Sequence, residues 1–123
     1  MSSERISDAE LAIMEILWDQ APLTATEVAA RLPDERDWSL PTVKTLLSRL
    51  LAKAAVQNSA DGRRFRYSPH IDREDYVSHE STRLVDRLFG GKFMPLVAHL
   101  AEQEKLSDAD ISEIERLLQE MKS

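Results

Sequence analysis

The sequence predicts a mainly α-helical protein: three helices and a two-stranded hairpin in an N-terminal domain, then a C-terminal region built only of helices. Three observations lead there. Apolar residues recur at helical spacing as far as Leu51 and again from Tyr76, but between Val56 and Tyr67 the pattern changes around an Asp61-Gly62 turn signal. Ser7-Asp8-Ala9-Glu10 and Thr24-Ala25-Thr26-Glu27 are capping boxes, in which a hydroxyl and a carboxylate satisfy each other's backbone N–H groups. The charge also reverses. From Trp38 to His70, Lys44, Arg49, Lys53, Arg63, Arg64 and Arg66 stand against Asp61 alone, a net of +5, while the remainder carries 10 basic and 21 acidic residues and brings the chain to −6. A basic block kept in an acidic chain suits an anionic partner. DNA is the first candidate, because neutralising phosphates releases counterions.

In chain order, Ser7 caps a first helix through Leu11, Met14, Ile16, Leu17 and Trp18, stopped at Ala21-Pro22. Thr24 opens a short second helix through Val28, Ala29 and Leu32, ended by Pro33, and the polar run from Asp34 to Asp37 reads as a loop. Ser39 or Leu40 caps the third helix, with Pro41 in its first turn, where a missing N–H is harmless. Its apolar stripe is Val43, Leu46, Leu47, Leu50 and Leu51, and Thr42, Lys44, Thr45, Ser48 and Arg49 fall largely on other faces. The hairpin reads as a strand over Val56-Gln57-Asn58, a turn from Ser59 to Gly62, and a strand from Arg63 to Tyr67. Phe65 and Tyr67 then share one face of the second strand, and Arg64 and Arg66 the other. Beyond Pro69, helices are predicted from Asp72 to Phe89, closed by Gly90-Gly91, from Phe93 to Gln103, and from a Ser107 cap onward.

Three helices followed by a hairpin is the order of a winged helix-turn-helix, in which the third helix enters the major groove and the wing lies against the backbone. The candidate DNA-facing residues of the third helix are Ser39, Thr42, Lys44, Thr45, Ser48 and Arg49. Hydroxyls can reach base edges or phosphate oxygens, and arginine can grip guanine bidentately. In the wing, Arg63, Arg64 and Arg66 suit phosphate contact, which needs charge and reach rather than base geometry. Lys44 or Arg49 singly is also what a solvated helix face would show; the block as a whole carries the reading. Trp38 reads as a packing anchor more than a stacking platform.

The remaining helices have a different logic. We place the DNA-binding domain at residues 1–70 and a helical dimerisation domain at 71–123. Tyr76, Leu84, Leu88, Leu96, Leu100, Ile111, Ile114, Leu117 and Leu118 form apolar stripes too extensive for a tail in water, and helices this short are marginal unless packed. The simplest partner is the same segment of a second chain, which would present two third helices to a two-fold DNA site. The alternative is that these helices fold back on their own domain.

Other chemistries find little support. There is no cysteine, so no disulfide and no thiolate metal site. No apolar run approaches the roughly 18 residues of a membrane span, and Met1-Ser2-Ser3-Glu4-Arg5 has no apolar signal region, so the expectation is a cytoplasmic protein without direct membrane binding. The histidines, His70, His79 and His99, include no helical i, i+4 metal pair. His79 with Asp75 and Glu80 makes at most a weak surface site. The glycines, Gly62, Gly90 and Gly91, form no phosphate loop. The expectation is therefore not an enzyme, with no cofactor and no resident metal.

Trp38-Ser39, Thr42-Val43, Thr45-Leu46-Leu47, Arg49-Leu50, Lys53, Gly62-Arg63, Phe65, Tyr67-Ser68-Pro69 and Tyr76 resemble the signature of the penicillinase-repressor family, the BlaI/MecI/CopY type. Ile6-Ser7, Ala9-Glu10, and Met14 with Trp18 are similar to its first helix, and Leu106-Ser107 to the opening of its last. The likeness is specific through the third helix and wing and looser from about Arg83. It implies a homodimeric transcriptional repressor on double-stranded operator palindromes built on TACA and TGTA, dimerised through C-terminal helices. It carries the DNA-facing role onto Ser39, Thr42, Lys44, Thr45, Arg49, Arg63 and Arg66. In antibiotic-responsive members it implies a membrane sensor protease system leading to cleavage in the dimerisation region. Here His99-Leu100 stands where those members have Asn-Phe, a departure from that specificity. Copper-responsive members bind metal in a cysteine-rich tail that this chain lacks. Ala54 stands where the family commonly has glycine before the wing. Repression as such comes from the resemblance; the residues alone also allow a winged-helix protein-interaction module or a DNA-binding regulator that does not repress.

Overall fold

The computed structural model describes residues 5–123; residues 1–4, which include most of the segment read for a signal region, lie outside the described residues. Helix α1 (Asp8–Asp19) starts where Ser7 Oγ accepts the Glu10 N–H at 3.1 Å and Glu10 Oε1 accepts the Ser7 N–H at 2.9 Å. Its buried stripe is Glu10, Ile13, Met14 and Leu17, an i, i+3, i+4, i+7 set. Ile13 thus joins the predicted Met14 and Leu17, while Leu11, Ile16 and Trp18 are half-buried. The predicted Thr24–Glu27 capping box opens α2 (Ala25–Ala30), which ends before Leu32. Ser39, rather than Leu40, caps α3 (Leu40–Ala52).

The sheet differs from the predicted hairpin in two ways. It has three strands: β1 (Leu23–Thr24) pairs antiparallel with β3 (Arg64–Pro69), which pairs with β2 (Val56–Asp61), in the order β1-β3-β2. A two-residue strand carries no periodicity of its own and exists only because β3 supplies its partner, Leu23 facing Tyr67. The turn is also shorter than predicted. Ser59, Ala60 and Asp61 stay in the strand, with Asp61 facing Arg64, so only Gly62-Arg63 turns. Gly62 has φ +67, the left-handed geometry that a two-residue II′ turn asks of its first central position. Arg63 therefore lies in the turn and not in the second strand.

The core draws on all these elements. Ile13, Met14 and Leu17 meet Leu23, Ala25, Val28, Val43, Leu46, Leu47, Leu50, Ala55 and Val56. Helix α3 ends in a Schellman motif. Ala55 N–H donates to Leu50 O at 2.9 Å, Ala54 N–H donates to Leu51 O at 3.0 Å, and Ala54 adopts φ +61. The alanine thus sits in the conformation that glycine takes without strain, and Ala55 and Leu50 are both buried in the core.

The C-terminal helices are α4 (Arg73–Phe89), α5 (Met94–Glu102) and α6 (Asp108–Lys122). The chain divides into two compact units, Met1–Tyr76 and Val77–Ser123, so the break falls inside α4 and residues 71–76 extend the first unit. The extra residues belong to the first unit because they grip α1. Trp18 Nε1–H donates to Ile71 O at 2.9 Å, the Trp18 and Tyr76 rings lie 5.6 Å apart, and Arg73 pairs with Glu15 at 3.0 Å. In the second unit no residue of α4, α5 or α6 is fully buried.

Candidate nucleic-acid interface

Burial of Val43, Leu46, Leu47 and Leu50 leaves the opposite side of α3 to solvent. Ser39, Thr42, Lys44, Thr45, Ser48 and Arg49 are all exposed there. Ser39 Oγ accepts the Thr42 N–H at 3.3 Å and lies 3.1 Å from Thr42 Oγ1, so this hydroxyl pair is pre-ordered at the helix start. The first turn of α3 has no acidic residue. Among the described residues, Lys44 and Arg49 make no ion pair, so neither cation must be detached before it meets a phosphate or a base.

The wing arginines are less uniform than their sequence suggests. Arg63 is exposed at the turn with no ion pair among the described residues. Arg64 is exposed, its Nε 3.9 Å from Asp61 Oδ2. Arg66, expected to hold phosphate, donates from Nε to Asp61 Oδ2 at 2.7 Å. The hydrogen bond and charge of Arg66 hold the Asp61 carboxyl below its usual range, and Asp61, with Glu27 further off, raises Arg66 in turn. Alternation along β3 places Arg64 and Arg66 on one face, and the register puts Asp61 opposite Arg64 on that face. On the other face Tyr67 packs on the core, whereas Phe65 is half exposed at 50%.

Lys53 belongs to the basic block in sequence but not in space. Its Nζ donates to Glu10 Oε1 at 2.6 Å and to Arg5 O at 2.6 Å. Glu10 is only 1% exposed. Burial pushes its carboxyl up, but the Lys53 hydrogen bond, the Ser7 N–H and the Lys53 charge outweigh burial and leave it below its ordinary value of 4.5. The pair ties the start of α1 to the end of α3. The sequence pattern assigned Glu10 only a capping role. The signal for more was its place on the Ile13, Met14, Leu17 stripe, where a carboxylate demands a buried cation. Trp38 packs half-buried on the core with the Arg36 guanidinium 5.0 Å from its ring centroid, as a packing anchor would.

The residues expected at a dimer interface are spread over the second unit. Leu88 is 59% exposed, Ile111, Leu117 and Leu118 are exposed, and Leu84, Leu96, Leu100 and Ile114 are half-buried. Tyr76 is the exception, half-buried against Trp18 in the first unit. His99 is exposed and Leu100 half-buried, both inside helix α5. No cluster of three or more metal-ligating side chains occurs among the described residues, and no helix among them is long and apolar enough to cross a membrane.

Three helices packed around one buried core, a small antiparallel sheet with a basic turn, and a polar outer face on the third helix define a winged helix-turn-helix protein. The chain belongs to the penicillinase repressor family, whose model matches residues 6–120. That family comprises transcriptional repressors, not enzymes. The chain is 34% identical to the penicillinase repressor of Bacillus licheniformis over 119 residues, covering 97% of this chain and 93% of that one. It is 30% identical over 113 residues to the methicillin resistance regulatory protein MecI of Mammaliicoccus sciuri, covering 92% of each. Among solved structures, the DNA-binding domain of the repressor BlaI superposes with a TM-score of 0.53 at 40% identity, over 58% of this chain and 88% of that one. Monomeric Bacillus licheniformis BlaI in complex with the blaP half-operator gives 0.50 at 40% identity, over 59% and 89%.

Proposed function

We propose that this chain is a sequence-specific transcriptional repressor, working in the cytoplasm as a homodimer on a palindromic operator. One observation carries the reading: α3 presents Thr42, Lys44, Thr45, Ser48 and Arg49 together to solvent, with both cations unpaired among the described residues. In this role Arg49 and Lys44 address base edges or nearby phosphates, the hydroxyls of Thr42, Thr45 and Ser48 complete the readout, and Ser39 orders the helix start. Arg63 and Arg64 touch the phosphate backbone. The relative solved on its half-operator supports DNA as the ligand.

The dimer reading rests on an imbalance. Residues 71–123 carry Leu88, Ile111, Leu117, Leu118 and Met121 to solvent and enclose no buried side chain in their three helices. Short helices in that condition need a partner surface, and a second copy supplies a self-complementary one. Dimerisation then places two copies of α3 on half-sites about one helical turn, roughly 34 Å, apart.

The test is fluorescence anisotropy of the full-length protein on a TACA/TGTA palindrome and on a scrambled duplex across a salt series. A strong, salt-dependent preference for the palindrome is expected. Weak and equal binding to both would mean either a different operator or a winged-helix docking module, and the absence of salt-dependent binding to any duplex would overturn the reading.

A further inference from the structure

Within a wing that otherwise serves as a cationic surface, Asp61 is the one carboxylate, and it lies beside the arginines rather than at a distance. Its Oδ2 accepts from Arg66 Nε at 2.7 Å and lies 3.9 Å from Arg64 Nε. The strand register enforces this placement. Asp61 pairs with Arg64, Ser59 pairs with Arg66, and the Gly62-Arg63 turn closes the hairpin immediately beyond. On the other side of β3, Thr24 pairs with Arg66 and brings the Glu27 carboxylate at the start of α2 within electrostatic range. Arg66 is therefore flanked by two carboxylates, and Arg63 is the wing cation free of both.

We propose that Asp61 withholds Arg66 from the DNA backbone, so that the wing engages phosphate through Arg63 with help from Arg64, while the Asp61–Arg66 pair braces the hairpin. A guanidinium already neutralised within the protein displaces no counterion from DNA when the complex forms, so it adds nothing to the salt dependence of binding. A phosphate approaching Arg66 would also meet the Asp61 charge. The proposal rests on the DNA-binding reading above but not on the identity of the operator, because phosphate contact is independent of sequence.

The experiment uses full-length protein on a random-sequence duplex, with anisotropy recorded from 50 to 200 mM salt, for the parent chain, Asp61→Asn, Arg66→Ala and the double variant. Asp61→Asn should steepen the slope of log K against log salt by about one unit, equivalent to about 3.5-fold more affinity lost across that range. Arg66→Ala alone should leave the slope unchanged, and in the Asp61→Asn background it should abolish the gain. Glu113→Gln, which opens the Glu113–Arg116 pair on α6 with the same change of net charge, should not steepen it. If Arg66→Ala flattens the parent slope by about one unit, Arg66 leaves Asp61 for phosphate and the proposal is wrong. It is equally wrong if Glu113→Gln matches Asp61→Asn. A parent that binds with all slopes equal would overturn the proposal, whereas a parent chain that binds no duplex at any salt would remove the DNA-binding reading itself. The Asp61→Asn change retains the side chain's shape and an acceptor oxygen at a half-exposed site, and the Arg66→Ala slope tests the idea without it.

Discussion

Ala54 lies in the three-residue link between the proposed recognition helix and the wing, and its backbone makes a sharp prediction. With φ +61 it occupies the left-handed region, where an L-residue's Cβ crowds the following carbonyl at a cost of about 1–2 kcal/mol. The position is imposed by the Schellman motif, because only that geometry lets Ala55 N–H reach Leu50 O at 2.9 Å while Ala55 enters the core. Ala54→Gly removes the crowding. The glycine loses more chain freedom on folding, which gives back about 0.5–1 kcal/mol, and Ala54 is exposed, so its methyl adds little burial. The expected net gain is about 0.5–1 kcal/mol, a rise in melting temperature of about 2–8 °C. Urea unfolding followed by circular dichroism measures it, with Ala52→Gly as the matched control. Ala52 is exposed at the end of the same helix but does not adopt positive φ, so its glycine variant should lose about 1 kcal/mol. If both variants destabilise equally, backbone strain at Ala54 is not the operative physics. DNA affinity of Ala54→Gly should match the parent, since the motif's geometry is unchanged.

Lys53→Met should cost about 3 kcal/mol by leaving the buried Glu10 carboxylate without its cation. It should also move acid unfolding to higher pH. Glu10 sits below 4.5 in the folded chain, so the pair's contribution is present above about pH 4.5 and fades as pH falls through the lowered value. Without Lys53, burial dominates and the loss begins earlier; identical profiles of denaturation midpoint against pH would count against this account. Thr45→Ala or Arg49→Ala should lose about 1–3 kcal/mol on the cognate operator and less on random DNA, measured by anisotropy, and equal losses on both would argue against base readout. Leu117→Glu with Leu118→Glu should convert the full-length chain to a monomer by light scattering, with thermal melting of the first unit unchanged; a persisting dimer would relocate the interface.

Local signals were legible wherever a residue's role depends on neighbours along the chain. Ser7 with Glu10 and Thr24 with Glu27 announce helix starts because both partners of a capping box lie within one turn. The apolar stripe of α3 fixes which side of that helix remains for solvent, since burying Val43, Leu46, Leu47 and Leu50 leaves Thr42, Thr45 and Arg49 no other place. Gly62 marked the wing, although the turn closed tighter than the polar run from Ser59 suggested, because strand pairing continues until a residue that tolerates positive φ permits reversal.

Element order, the polar face of α3 and the concentration of positive charge around it could all be read along the chain, because each is a property of spacing or composition. Which of those charges are available was a matter of folding. Lys53 and Arg66 stand in the basic block like Arg49 and Arg63, yet the fold sets Lys53 against Glu10, 43 residues away, and strand register sets Arg66 against Asp61. The same holds for β1, which is a strand only beside β3, and for Tyr76, whose ring meets Trp18 of α1. The physical reason is common to all four. A Coulomb pair, a sheet ladder and an aromatic contact depend on distance in space, and a one-dimensional pattern specifies that distance only within a few residues of itself.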